Sequence, residues 1–264
     1  MISSGAAIAL LRRMEPADFD RLVARARDPH LIPGIYNYCD GRCPRCSFTE
    51  RCLTYLDNQE LKAQASDDRP LADTVRDSLQ RTMAMIAEVA RREGFDFDAA
   101  DNVVSTADRE LDKHRQDALV VRAREYGHLA WRIGRAVAPI AEARGDEAIV
   151  EAVEMIEWFS SMISSKLYRA ICGQAEGWER PDEAQTDVNG SAKVALIGIE
   201  ESRRGWAVLM EAGRATANGV PAKAVAMLEA LDAAVRERFP LVMAFVRPGF
   251  DEPGKAGSPD APDA

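Results

Sequence analysis

From Pro70 onward the apolar residues of this 264-residue chain recur three and four positions apart, and the alternation of a half-buried strand is nearly absent. That rhythm confines the chain to α-helices that each bury one face, so the expected fold is all-α, a helical bundle of four to five long helices. Proline, glycine and capping residues set the limits. The first bundle helix is predicted from Pro70 to Arg92, with Leu71, Val75, Leu79, Met83 (or Thr82) and Ile86 inward and Gly94 just past its end. Glu88, among Arg81, Arg91 and Arg92, is read as part of its solvated face. A second helix is expected from near Thr106 to about Arg144, bent before Pro139, and a third from after Gly145 to Cys172. A fourth runs from about Gly190 to Ala212, where Gly198 and Gly205 share one face and admit a close neighbour; a fifth runs from Pro221 to Phe239.

The chain before Pro70 follows other rules. A short helix is expected in residues 15–28, carrying Phe19, Leu22 and Val23 at helical spacing and stopping before Pro29. Pro33, Gly34, Gly41 and Pro44 then interrupt the backbone every few residues, which excludes regular helix. The expected organisation is an N-terminal helical segment at 1–28, an irregular cysteine-rich metal-binding loop at 29–66, the bundle at 67–248 and a disordered Pro-rich tail at 249–264. Phe250, in Arg247-Pro-Gly-Phe, is expected to pin the chain against the body.

Within that loop Cys39, Cys43, Cys46 and Cys52 are spaced C-x3-C-x2-C-x5-C. Four soft thiol ligands on one loop suit a single tetrahedral zinc ion or one iron–sulfur cluster, and the spacing fits both. Arg42, Arg45 and Arg51 alternate with the thiols and would offset thiolate charge. The first three cysteines resemble the cluster-binding triplet of radical SAM enzymes, but that family needs a strand-rich partial barrel which a helical chain does not supply. Cys172, alone in an apolar helix, reads as a small buried hydrophobe.

Composition narrows the partners. Lys and Arg total 34 against 43 Asp and Glu, a formal charge of -9, so neither nucleic acid nor an anionic membrane surface is an expected ligand. The residues MISSGAAIALLRR put their basic pair after a short apolar run, unlike an export signal, and no apolar stretch approaches the roughly 18 to 20 residues of a membrane span. A cytoplasmic setting follows as an expectation, in which clustered cysteines are metal ligands before they are disulfides. The expected partners are metal ions, with a redox or other protein partner left open.

A second metal site is a candidate in the bundle. Glu125-Tyr-Gly-His128 has the Glu-x-x-His spacing of ferritin-like di-iron proteins, and His114, eleven residues earlier, extends the stripe through Ala118 and Val121. Glu154, Glu157, Glu200 and Glu201 lie in apolar surroundings on the facing helices and need a cation, either a metal such as iron or an arginine. The pattern departs from that of the ferritin-like proteins, because no histidine remains on those facing helices for a second Glu-x-x-His.

The strings Ile35-Tyr-Asn-Tyr-Cys-Asp, Cys43-Pro-Arg-Cys-Ser-Phe-Thr-Glu-Arg-Cys, Asn189-Gly-Ser-Ala-Lys-Val-Ala-Leu and Val246-Arg-Pro-Gly-Phe-Asp are similar to those of a group of uncharacterised bacterial proteins. The resemblance implies a bacterial metal-binding protein. Three functions stand as alternatives: a protein with a zinc or iron–sulfur site, redox-active in the latter case; a ferritin-like di-iron oxidoreductase; and a zinc-stabilised helical scaffold without catalysis.

Overall fold

The computed structural model describes residues 14–64, 71–95, 113–177, 183–212 and 219–252. Among these the only regular structure is helical, so the protein is all-α. The α-helices are α1 (Pro16–Ala26), α2 (Leu53–Gln64), α3 (Leu71–Glu93), α4 (Ala118–Arg144), α5 (Glu147–Ala175), α6 (Asp187–Glu211) and α7 (Val220–Arg238). The chain divides into two compact units, one of residues 1–36, 42–110 and 257–264, the other of 37–41 and 111–256.

In the second unit α4, α5, α6 and α7 form a closed four-helix bundle, each packed against two of the others. Along α7, Ala224, Leu228, Leu231 and Val235 repeat every three or four residues and are fully buried. Gly198 and Gly205 act as the spacing predicts. A Cβ at Gly205 would stand 2.8 Å from Ile156 Cγ1 and 3.0 Å from the Ala152 carbonyl oxygen, and one at Gly198 would stand 3.0 Å from Ile163 Cγ1, so α6 and α5 meet closely only because neither position has a side chain. At the centre the Trp206 indole N–H donates to the Tyr126 hydroxyl at 3.0 Å, within the core.

The helix ends show which sequence signals held. Gly145 closes α4 at φ 69°, in the left-handed region, and Pro221 sits in the first turn of α7. Asp117 caps α4 by accepting from the Leu119 amide, so this helix begins at Ala118 after a turn at Gln116; the expected start at Thr106 lies outside the described residues. The α6 cap is Thr186, whose hydroxyl accepts from the Asn189 amide, three residues before the expected start at Gly190. The chain after Gly249 is placed as far as Glu252, where a disordered tail was expected to have begun; residues 253–264 lie outside the described residues.

The N-terminal unit differs from expectation in two respects. Residues 53–64, assigned to the cysteine loop, form α2, tied to α1 by Arg25, which pairs with Glu60 at 2.7 Å and Asp57 at 3.2 Å. Helix α3, assigned to the bundle, belongs to this unit and turns a different face. Val75, Leu79, Met83 and Ile86 are exposed, Leu79 at 61%, while Ala84 and Ala90 are buried. Charge sets that phase. Arg92 reaches Asp20 of α1 at 2.8 Å and lies over the Phe19 ring at 4.4 Å. Glu88, read as solvated, is only 6% exposed, because the guanidinium groups of Arg91 and Arg92 cover it and bring its carboxyl down to about 2.

Candidate metal centre

The cysteine block is built in two pieces, since Asn37–Gly41 belongs with the bundle and Arg42 onward with the N-terminal unit. The second piece is a series of tight turns forced by its prolines and short spacings. Cys43–Arg45 and Thr49–Arg51 are single 3-10 turns, in which the Cys46 amide donates to the Cys43 carbonyl at 3.1 Å and the Cys52 amide to that of Thr49 at 3.3 Å. The Phe48 amide donates to Cys46 Sγ at 3.4 Å, an N–H···S bond. Phe48 is buried, and the Ile32 amide donates to the Arg51 carbonyl, which hold the turns in place. Arg51 uses its guanidinium on the His30 carbonyl at 3.0 Å. None of the five cysteines is in a disulfide, and Cys39, Cys43, Cys46 and Cys52 are half-buried. Among the described residues no three Cys, His, Asp or Glu side chains are gathered as a ready metal-holding group.

The first piece is a short turn seated on α5 and α6. On one side of Cys39, the Lys166 ammonium donates to the Asn37 carbonyl at 2.5 Å, and the Tyr38 hydroxyl donates to Asp187 Oδ1 at 2.9 Å. Arg169 grips the same Asp187 with two bonds of 2.7 and 2.8 Å. On the other side, the Trp158 indole N–H donates to the Asp40 carbonyl at 2.8 Å. Gly41, at φ 73°, lets the chain turn away beneath the Trp158 ring, 3.0 Å from where a Cβ would be. Burial and the bond to Asp187 push the Tyr38 phenol up to about 12, so it stays a donor at any physiological pH. Burial, then the nearby Arg169 charge, lower the Lys166 ammonium, and Cys39 and Asp187 work in the opposite direction.

The Tyr38 ring fits a socket made by a missing side chain. A Cβ at Gly190 would collide with Tyr38 and stand 2.6 Å from Phe245 Cζ, and the two rings meet at 4.8 Å between centroids. Phe245, buried, is thus the anchor expected of Phe250, whose ring is instead half-buried beneath the Arg247 guanidinium. Gln185 brackets Val246, donating to its carbonyl and accepting from its amide. Asp251 accepts from Lys193 and from Arg247; burial alone would raise this carboxyl, but those bonds outweigh it and bring it to about 2. Three of the four strings singled out in the sequence therefore meet at the first turns of α6.

The second site expected in the bundle is not assembled. Glu125 and His128 are exposed, because α4 turns Val120, Ala123, Tyr126 and Ala130 inward and leaves Val121 only half-buried. His114 precedes the Asp117 cap and shares no helix with them. Glu154 is exposed, while Glu157 lies half-buried over Gly134. Glu200 pairs with Arg203 and Arg204, and Glu201 with Arg204, the arginine partners that burial arguments allow as well as a metal. Cys172 is buried, and desolvation raises its thiol, in keeping with a packing role. A cleft of about 790 Å³ between α1 and α3 is lined by charges of both signs, including Asp18, Arg21, Asp77 and Arg81, and by none of the candidate metal ligands.

Compared with known proteins, the chain matches no family model, no curated protein and no solved structure. Among the described residues no helix is long and apolar enough to cross a membrane.

Tyr38, Trp158 and Lys166 were not singled out from the sequence. Tyr38 stood inside a string already noted, but Trp158 and Lys166 lie far along the chain, Lys166 meeting Asn37 across 129 positions, and no local spacing announces such contacts.

Proposed function

We propose that this is a metal-binding protein in which Cys39, Cys43, Cys46 and Cys52 together hold one thiolate-bound centre, a zinc ion or an iron–sulfur cluster. The observation that carries the reading is four half-buried cysteines, none in a disulfide, close together in the chain, with Cys43, Cys46 and Cys52 in a run of tight turns. An amide directed at Cys46 Sγ supports it, since such bonds stabilise a coordinated sulfur. The sulfurs are not a finished cage. Binding would gather them and release their protons, so loading and local ordering are one event. The exposed Glu125, His128 and Glu154 and the arginine-paired Glu200 and Glu201 have no part in it.

Elemental analysis with an absorption spectrum tests the proposal. Iron with visible absorption identifies a cluster, and one colourless zinc per chain identifies the ion. Cys39→Ser should abolish metal at this site; full stoichiometry in that variant would overturn the reading.

A further inference from the structure

The face that α3 turns to solvent has a regularity of its own. Val75, Leu79, Thr82, Ile86 and Val89 are all exposed, and they follow one another at steps of four, three, four and three residues. A mean step of about 3.5 keeps one line of side chains against a second helix along its length. Met83, also exposed, fills in beside Thr82, and Glu93, one turn past Val89, ends a line about 21 Å long. The line points away from α1, because Asp77, Gln80, Arg81 and Ala84, half a turn round the helix, line the cleft shared with α1. A continuous apolar line on a surface marks a place where another surface docks.

Charge selects the occupant. Ser78 and Met85 border the line on one side and Met83 and Ala90 on the other, so its edges are neutral. The nearest charges are used within the unit, Arg76 on Asp73 and Arg92 on Asp20 and Glu88. A strongly charged partner, whether nucleic acid or a peptide of either sign, therefore gains nothing along this seam. What matches it is another neutral, apolar helix face of the same spacing, and a second copy of the chain supplies one. We propose that α3 is a dimerisation helix, through which two copies pair by Val75, Leu79, Ile86 and Val89 about a two-fold axis. Both copies use the same surface, so assembly closes at two. A single seam about 21 Å long falls short of the roughly 800 Å² per partner of a standard interface, so the pair forms and separates with concentration. The inference stands apart from the metal centre and does not rest on it.

The test is sedimentation equilibrium of the full-length chain over a wide concentration range, with a thiol reductant present so that no disulfide joins the copies. The mass should climb from one chain to two and stop there. Leu79→Lys combined with Ile86→Lys brings like charges from both copies into the seam and should weaken association by about 100-fold or more. Helical circular dichroism should not change in that variant, since both side chains already lie in water. Gln80→Lys, on the opposite face, should associate as the parent does. Thr82→Leu, which replaces the one polar side chain between Val75 and Val89 on the line, should tighten association several-fold, and it decides the matter if the double variant does not fold. A parent chain that stays single at every concentration overturns the inference, as does assembly beyond two. So do undiminished association in the folded lysine variant, equal weakening by Gln80→Lys, and a Thr82→Leu chain that associates no more tightly than the parent.

Discussion

The bundle and the N-terminal unit solve the problem of folding with different materials. The bundle closes on apolar side chains, with Ile163, Leu167, Trp206, Leu228 and Val235 at zero exposure, and its glycines trade side chains for helix contact. The N-terminal unit buries Phe19, Leu31, Ile32, Ile35 and Phe48, and adds ion pairs between helices while leaving Val75, Leu79 and Ile86 in solvent. Exposed ion pairs contribute little, typically under about 1 kcal/mol each. A unit with so modest a core would gain most from the cation proposed for its thiols, which would tie several residues together.

The contrast is broken most directly at the bundle centre. Trp206→Ala removes the largest fully buried side chain among the described residues, together with its bond to the Tyr126 hydroxyl, so it should cost about 3 to 5 kcal/mol in urea titration. A cost below about 1 kcal/mol would mean that the bundle is not the self-sufficient half. Metal removal probes the other side. A chelator should leave the helical circular dichroism signal largely in place, while amide exchange accelerates in residues 39–52. Loss of most of the helical signal would instead make the bundle depend on the metal. The smallest effect concerns Asp251. Its folded carboxyl lies near 2, below the usual value of about 3.9, so its contribution is fully present above that usual value and is lost as pH falls through about 2. Asp251→Asn should lower the melting temperature at pH 7, and the gap to the parent should shrink as pH drops from about 4 towards 2. A gap that stays constant would remove Asp251 from the stability of the C-terminal segment.

Much of the bundle was legible because its signals are local. Gly145, Pro221 and the Gly198/Gly205 pair each act within one turn or one helix contact, and each behaves as its residue type requires. Helix phase was less legible. On α4 the stripe through Val121, Glu125 and His128 and the stripe through Val120, Ala123, Tyr126 and Ala130 are both regular. Periodicity says which residues share a face, and only packing says which face turns inward. On α3 the apolar stripe was the natural choice, yet Arg92 with Asp20 and Phe19 sets the other phase. At the cysteine block the thiols themselves were plain, but the side chains that seat Cys39 come from far along the chain.

The socket at Gly190 also orders events in time. Tyr38 and the Cys39 that follows it are synthesised early, whereas Asp187 comes 149 residues later and Phe245 later still. At about 5 to 20 residues per second, roughly 10 to 40 s pass between making Tyr38 and making the ring it rests on. Until that interval ends, the seat of the turn carrying Cys39 is incomplete. Its sulfur is therefore made well before the complete surface that seats its turn in the finished protein.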